Sequence, residues 1–221
     1  MTSERWSEVD DYLNQKLIHT DAILESALRA SEKACLPNYA VTPTQGKFLY
    51  LLARLHRAAR ILEIGTLGGY STIWLARAVS KGGSIISLES NAAFAEVAKA
   101  NIENAGLSEI VEIRVGLAID TLKQLETERV APFDLIFIDA DKVSNPIYLE
   151  WSLKLSRPGT VIICDNVVRN GAVVELASTD PSVIGTRKFF DLVAQNPRLS
   201  ATVIQTVGEK GYDGFCLAIF E

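Results

Sequence analysis

Acidic and amide side chains follow two short apolar runs in the second half of the chain. Asp139 ends the run that begins at Phe133, and Asp165 and Asn166 follow the run Thr160–Cys164. If these runs are neighbouring strands, they lie roughly 4.8 Å apart, so oxygens from both ends can reach one cation at about 2.1 Å. Helix capping explains one such acid but explains the three residues together poorly. The set predicts a site for Mg²⁺, Mn²⁺ or Ca²⁺ rather than for a metal that prefers thiolates.

A glycine-rich turn, Gly65–Gly69, follows the apolar run Arg60–Ile64 and leads into a helix that starts near Ser71. The backbone N–H groups of such a turn can approach an anionic part of a ligand, and Ser71 could hydrogen-bond a carboxylate. Glu63 is placed to bind an amine. Leu67 occupies the position of the second glycine in the dinucleotide-binding fingerprint, which disfavours a nicotinamide cofactor. A lone glycine-rich turn is also common between any strand and helix.

A glutamate ends the next apolar run, Ser84–Glu89, about 20 residues beyond the turn. A carboxylate at this position can accept both hydroxyls of an adenosine ribose. Gly116–Ala118 follow the third run with small residues, against which a flat adenine could lie. A solvated glutamate and ordinary small residues before a helix are the alternatives. Together with the turn, Glu89 favours an adenosine-containing cofactor.

Short apolar runs alternate with helical stretches from Arg60 onwards, which is typical of a parallel sheet built from βαβ units. In such a sheet, ligands bind beyond the carboxyl ends of the strands, where the residues above lie. The last two runs are joined too closely for a crossover helix, so the last strand is expected to be antiparallel. The predicted strands are Arg60–Ile64, Ser84–Glu89, Val111–Val115, Phe133–Asp139, Thr160–Cys164, Leu199–Val207 and Phe215–Phe220, and the intervening helices lie near 71–80, 92–105, 118–126 and 146–155.

The chain before Arg60 is predicted to form three helices, one of them capped by Thr20 and the third opening at Thr42-Pro43. The third helix carries apolar residues at helical spacing and is expected to pack on the sheet. These residues are Phe48, Leu51, Leu52 and Leu55. We predict one domain over 1–221, with 1–59 as a helical cap and 60–221 as a Rossmann-like core.

The composition of the 221 residues favours small-molecule chemistry. The formal net charge of −5 gives no general attraction to nucleic acid. The three cysteines are too few and too scattered for a disulfide framework, which fits a reducing cytoplasm. The sequence shows no signal peptide and no apolar run near the roughly 20 residues of a membrane span, so a cytoplasmic, non-membrane protein is expected.

Five motifs carry a resemblance to a known family: LEIGTLGGYSTIWLA, ISLESN, FDLIFIDADK, VIICDNVVRNGAV and the terminal KGYDGFCLAIF. From about Tyr39 to its end, the chain resembles the cation-dependent class I O-methyltransferases, the group of catechol and caffeoyl-CoA O-methyltransferases and their bacterial relatives. The resemblance implies an α/β Rossmann-like fold with a mostly parallel seven-stranded sheet and an antiparallel last strand. It further implies S-adenosylmethionine as methyl donor, a small hydroxylated aromatic acceptor, and a homodimer.

The resemblance also assigns roles to individual residues. The implied metal ligands are Asp139, Asp165 and Asn166, and Lys142 falls at the position of the general base. The stretch Asp141–Tyr148 differs in sequence from that of plant members. The resemblance therefore does not determine the substrate side of the site. The implied cofactor contacts are Val41, Glu63, Gly65, Thr66, Ser71, Glu89, Ala118 and Asp139.

The expected mechanism begins with a cation that binds two vicinal hydroxyls and lowers the pKa of one from a phenol's value near 10. Lys142 removes the proton of that hydroxyl, and the resulting phenolate attacks the sulfonium methyl. The helical N-terminus and residues 167–182 are expected to close over the site. One alternative is methylation of a hydroxylated uridine in transfer RNA, which requires a basic surface such as Arg169, Arg187 and Lys188. A non-catalytic module that binds S-adenosylmethionine is the other.

Overall fold

The computed structural model describes residues 3–19 and 21–221. The first helix, α1, spans Ser3–Leu17 and contains no buried residue. By the density of their internal contacts, residues Asp11–Gln124 form one compact unit, and Leu125–Glu221 form a second one together with the start of the chain up to Asp10. The single domain with a cap over 1–59 stays a prediction.

The unit Asp11–Gln124 contains three parallel strands and the helices between them. β1 pairs with β2, and β2 pairs with β3, all in parallel register. The strand bounds agree with the sequence prediction. The elements are α2 (Ala22–Lys33), α3 (Pro43–Leu55), β1 (Arg60–Ile64), α4 (Tyr70–Ala78), β2 (Ser84–Glu89), α5 (Ala92–Asn104), β3 (Val111–Val115) and α6 (Ala118–Thr127).

The unit Leu125–Glu221 contains four strands. β4 and β5 are parallel, whereas β7 is antiparallel to both β5 and β6. Two 3₁₀ turns, Lys142–Ser144 and Arg169–Val174, follow the carboxyl ends of β4 and β5. The other elements are β4 (Phe133–Ile138), α7 (Asn145–Lys154), β5 (Ser156–Asp165), α8 (Pro181–Gln195), β6 (Leu199–Gly208) and β7 (Gly211–Phe220).

The seven strands are ordered β3-β2-β1-β4-β5-β7-β6. The predicted fold class, a mostly parallel sheet that ends in an antiparallel hairpin, is confirmed. Every residue of β4 is buried, as are the last four of β1. Strands covered on both faces read as continuous apolar runs, which is why these strands could be drawn from the sequence.

The prediction for α3 was wrong in its buried face. The residues of α3 that are buried are Gly46, Leu49 and Ala53, whereas Leu55 is 80% exposed. The helix packs on α4, because a Cβ on Gly46 would collide with the indole of Trp74. Small residues allow this close approach, and a count of large apolar side chains overlooks them.

Some helix starts were predicted from the sequence and others were missed. Thr42 caps α3 as expected, by accepting a hydrogen bond from Gln45 N. The predicted cap Thr20 lies outside the described residues, and Asp21 is the N-cap of α2. α8 was not predicted, although Asp180 at its N-cap and Pro181 at its first position are the usual signals of a helix start. α8 begins at Pro181, inside the segment 167–182 that was expected to close over the site.

Within the described ranges 3–19 and 21–221, none of the helices has the length and apolar character that crossing a bilayer requires.

Candidate active site

The glycine-rich turn between β1 and α4 has positive φ angles at three positions. Gly65, Leu67 and Gly69 have φ of 106°, 50° and 81°. Only glycine adopts such angles without strain, so Leu67 is held there by its surroundings. Gly69 is the N-cap of α4 and offers no side chain to the N–H groups of the first helical turn. Such a helix start can receive an anionic part of a ligand.

Two neighbouring helices hold this turn in place. A Cβ on Gly68 would collide with Oγ of Ser31 in α2. Asn101 of α5 donates from Nδ2 to the carbonyl oxygens of Gly68, at 2.9 Å, and Ala27, at 3.3 Å. The glycine at position 68 is therefore required by close packing, and the turn is built as a rigid cradle.

Glu63 lies at the centre of a buried cluster of hydroxyl groups. Its side chain is fully buried, and it accepts hydrogen bonds from the hydroxyls of Ser71, Thr72 and Ser87 at 2.5–2.6 Å. Because the Ser71 hydroxyl donates to Glu63, a ligand carboxylate near Ser71 would have to be bound by its backbone N–H. Glu63 thus braces the turn, and its contact with a cofactor amine stays a prediction.

Glu89 connects the end of β2 to the glycine-rich turn. Its Oε2 accepts a hydrogen bond from Leu67 N at 2.8 Å, and its Oε1 accepts one from Asn91 N at 2.8 Å. The residue is 8% exposed. Each carboxylate oxygen has two lone-pair sites, so both oxygens keep the capacity to accept a ribose hydroxyl.

Apart from Asp139, the remaining predicted cofactor residues lie in the same unit. Thr66 is buried and shares a 2.6 Å hydrogen bond with Ser87. Gly116 N donates to Glu89 O at 2.9 Å, which brings the loop before Ala118 beside the end of β2. Val41 is buried just before α3. The structure gathers most of the predicted set at the carboxyl ends of β1, β2 and β3.

The predicted catalytic and metal residues lie in the other unit, beyond the ends of β4 and β5. The register Ile138↔Cys164 places the following residues, Asp139 and Asp165, side by side. Asp165 is 4% exposed. The Lys142 ammonium is buried and lies 2.8 Å from Asp139 Oδ1. The structure places Lys142 beside Asp139, with Asp165 at the end of the neighbouring strand, and the roles of these side chains stay predictions.

Backbone hydrogen bonds fix the position of Asn166. Its N–H donates to Asp165 Oδ1 at 2.8 Å, and its φ is 55°. The loop that follows is tied to β7 by Asp213, whose Oδ1 accepts from the N–H groups of Val168, Arg169 and Gly214 at 2.9–3.1 Å. Asp213 therefore positions the loop that carries Asn166.

The second aspartate of the Asp139-Ala-Asp141 motif has a structural role. Asp141 accepts from Ser144 N at 3.0 Å and from the hydroxyl of Tyr148, so it caps the 3₁₀ turn that carries Lys142. Gly185 of α8 packs against the same turn, since a Cβ there would collide with Lys142 O. The backbone at Lys142 is thereby held from both sides.

Burial and nearby acids have opposite effects on the pKa of Lys142. Burial lowers its pKa, but nearby acids, above all Asp139, raise it by more, so its pKa lies above the ordinary value. In this state Lys142 is an ammonium ion. A second lysine, Lys210 in the β6–β7 turn, is also near these acids, and its pKa is lowered by burial despite the opposing effect of Glu209, Asp139 and Asp165.

Neither Lys210 nor Asp213 was predicted as a site residue. Both belong to the terminal KGYDGF motif, which contributed only to the family resemblance. The available signal was the hairpin itself, because β7 runs antiparallel to β5 and its start therefore lies beside the carboxyl end of β5, with Phe215 opposite Asp165.

Over residues 3–19 and 21–221, no group of three or more histidine, cysteine, aspartate or glutamate side chains is arranged to hold a metal ion. The predicted set has two aspartates, and its third ligand is the amide oxygen of Asn166. The cation site stays a prediction.

Cysteine chemistry is disfavoured at the same strand ends. Cys164 and Cys216 are opposite each other on β5 and β7, and both are buried free thiols. Burial raises the pKa of Cys164 well above its ordinary value and that of Cys216 to about 11. A neutral thiol is a poor nucleophile, so neither residue is suited to covalent catalysis.

Comparisons with known proteins show which proteins this chain resembles. The profile of the O-methyltransferase family matches residues 15–218. A catechol O-methyltransferase of Niastella koreensis is 49% identical over 219 residues, which cover 99% of each chain. A catechol O-methyltransferase of Mycobacterium tuberculosis is 48% identical over 212 residues, which cover 96% of this chain and 94% of that protein.

Two solved structures extend the similarity to the whole fold. The O-methyltransferase of Bacillus cereus in complex with S-adenosylhomocysteine is 56% identical, with a TM-score of 0.99 and complete coverage of both chains. The O-methyltransferase of tomaymycin synthesis from Streptomyces achromogenes, in complex with S-adenosylmethionine, is 48% identical with a TM-score of 0.96, covering 100% of this chain and 99% of that one. With a family profile that matches most of its length, this chain belongs to the O-methyltransferase family.

Proposed function

We propose that the enzyme transfers a methyl group from S-adenosylmethionine to one hydroxyl of a small catechol-like vicinal diol, assisted by a hard divalent cation. The observation that carries the proposal is the pair of adjacent carboxylates, Asp139 and Asp165, beside the buried amine of Lys142. Two relatives at 48–49% identity are named catechol O-methyltransferases, which supports the acceptor class.

The cofactor part of the proposal rests on the cradle formed by Gly65–Gly69 and Glu89. Similar proteins at 48–56% identity hold S-adenosylmethionine or S-adenosylhomocysteine. In the proposed complex, the ribose hydroxyls donate to Glu89, and the methionine carboxylate is bound by the N–H groups of the first turn of α4. Val41, Thr66, Ala118 and Asp139 complete the proposed contacts.

The residues present fit a hard divalent cation. Asp139, Asp165 and Asn166 offer oxygen ligands, and Mg²⁺ and Mn²⁺ prefer such ligands. Mg²⁺ is the ion we favour, with Mn²⁺ and Ca²⁺ as alternatives. When bound, the cation supplies charge that lowers the pKa of an acceptor hydroxyl.

Lys142 is the proposed general base. Asp139 and Asp165 raise its pKa in the structure. A cation held by these acids would offset their charge, and burial, which lowers the pKa of a lysine, would then dominate. Nζ of Lys142 takes the hydroxyl proton, and the resulting oxygen anion attacks the sulfonium methyl group. The C–S bond breaks as the C–O bond forms, and S-adenosylhomocysteine leaves as a neutral thioether.

The proposal is tested by incubating the enzyme with S-adenosylmethionine, Mg²⁺ and a panel of acceptors, and by following methyl gain by mass spectrometry. Catechol-like diols are expected to gain one methyl group. Matched mono-phenols and hydroxylated uridines are expected to react far more slowly. Preferred methylation of a hydroxylated uridine, with binding to transfer RNA that weakens steeply as salt rises, would establish the RNA alternative instead.

Glu89→Gln is expected to weaken binding of S-adenosylmethionine by about 1.5–3 kcal/mol, because hydrogen bonds to a charged group are lost. Isothermal titration calorimetry measures the change. Glu96→Gln is the matched control, since Glu96 is an exposed glutamate of α5 that pairs with Lys99. Unchanged affinity of the Glu89 variant, with the control also unchanged, removes Glu89 from the cofactor site.

We also propose that the enzyme works in the cytoplasm as a homodimer. The three cysteines are all free, which suits a reducing compartment. Light scattering coupled to gel filtration measures the mass of the particle, and a monomer at working concentration contradicts the dimer.

A further inference from the structure

We propose that Arg169 and Lys210 form an anion-binding subsite beside the acceptor, so that the preferred diol carries a carboxylate. This inference rests on the proposed function and specifies its acceptor. The carboxylate is held by the two cations while the hydroxyls are presented to Lys142.

Arg169 carries a buried donor that lacks an acceptor. Among the described residues, its Nε is buried and has no hydrogen-bond partner. Leaving a buried donor of a charged group unpaired is costly, so such a group calls for an explanation. Arg169 also has a φ of 57°, a conformation that a residue with a side chain rarely adopts. Strain of this kind is concentrated at ligand sites.

The segment that carries Arg169 lies beside the turn that carries Lys210. Arg169 N donates to Asp213 Oδ1 at 3.1 Å. A Cβ on Gly171 would lie 3.4 Å from the ring of Tyr212, and one on Gly211 would lie 3.7 Å from Asn170 Oδ1. Residues 169–171 therefore pack along residues 211–213, directly after Lys210.

The turn that carries Lys210 is anchored on its other side by α1. Asp10 Oδ2 accepts from Glu209 N at 2.8 Å. A Cβ on Gly208 would collide with the same carboxylate. The turn is thus held between α1 and residues 169–171, and Lys210 is held within the electrostatic reach of Asp139 and Asp165.

Acidic and basic side chains lie close together around the turn that carries Lys210. A divalent cation would offset the two charges of Asp139 and Asp165, Asp213 accepts from three backbone N–H groups, and Glu209 is the further acid near Lys210. Arg169 and Lys210 carry positive charges on the two adjacent segments, and a guanidinium group matches a carboxylate in shape and in hydrogen-bond geometry.

The test compares 3-(3,4-dihydroxyphenyl)propionate with its neutral amide. The saturated linker keeps the ring hydroxyls chemically alike, so the two compounds differ chiefly in charge. The wild-type enzyme is expected to prefer the acid by about tenfold or more in kcat/KM, a factor that corresponds to about 1.4 kcal/mol. Calorimetry with S-adenosylhomocysteine and Mg²⁺ present should give the same preference in Kd.

Arg169→Gln and Lys210→Gln are each expected to reduce this preference, and the double variant is expected to abolish it, because the rate with the acid falls further than the rate with the amide. Lys81→Gln removes one charge from an exposed lysine before β2 and should leave the preference unchanged. Equal rates for acid and amide in the wild-type enzyme overturn the subsite but not the proposed function. Equal losses for both compounds in the variants also overturn it. If no diol is methylated at all, the proposed function fails and the subsite fails with it.

Discussion

Removal of divalent cations with EDTA is expected to stop methyl transfer, and added Mg²⁺ or Mn²⁺ is expected to restore it. Stabilisation of developing negative charge by a metal ion contributes several kcal/mol, which corresponds to a rate loss of about 10²-fold or more. In the structure, the Lys142 ammonium is a buried cation beside the carboxylates of Asp139 and Asp165. The measurement is initial rate at a fixed diol concentration across a titration of free Mg²⁺.

The variant Asp165→Asn tests whether Asp165 is a metal ligand or only a structural cap. The substitution keeps size and removes charge, so we expect weak activity that even high Mg²⁺ rescues poorly. Asp180→Asn is the matched control, because Asp180 is an exposed aspartate that caps α8 and asparagine caps helices equally well. Full activity of the wild-type enzyme in chelator would show that Asp139 and Asp165 are structural acids and that the hydroxyl ionises without a cation.

The sheet and its strand-end residues could be predicted because local pattern determines them. Buried strands such as β4 are continuous apolar runs, and parallel order brings their carboxyl ends to one edge. Asp139 and Asp165 then become neighbours without any knowledge of side-chain packing. Glu89 could be found in the same way, from its distance along the chain to the glycine-rich turn.

Features that depend on tertiary contact could not be predicted. Gly46 packs on Trp74 and Gly68 packs on Ser31, and apolar patterning overlooks both contacts because glycine has no side chain. Ser71 was assigned to a ligand carboxylate, whereas its hydroxyl is engaged by Glu63, 8 residues away in the chain. Such pairings depend on the side-chain rotamers within the buried cluster. The spacing of residues along the chain does not reveal these rotamers.

The region around Lys210 illustrates the same limit at longer range. Asp10 and Glu209 are separated by 199 positions, yet their contact fixes the turn that places Lys210 near Asp139. The hairpin was predicted, but its anchor on α1 was not, since no local signal links the first helix to the last turn.

Loss of the amine at position 142 is expected to lower kcat by about 10²–10⁴-fold near neutral pH, the usual contribution of a positioned general base. Lys142→Met removes the base and the charge together. Lys142→Arg keeps the positive charge beside Asp139, but a guanidinium group stays protonated and cannot take the hydroxyl proton. Both variants should therefore be slow, although only the methionine variant loses the ion pair.

The pH profile distinguishes a base from a purely structural lysine. The pKa of Lys142 is raised while its acids are unscreened, so without Mg²⁺ the amine stays protonated and the wild-type enzyme should be slow even in mildly alkaline buffer. With Mg²⁺, the wild-type rate should reach its plateau at lower pH than the rate of either variant. The variants should recover in part as pH rises toward the phenol value of about 10, because the hydroxyl then ionises unaided. Circular dichroism confirms that the variants are folded. Parallel pH profiles for wild type and both variants, differing only by a constant factor, would assign Lys142 to holding Asp139 in place and leave proton removal to the solvent.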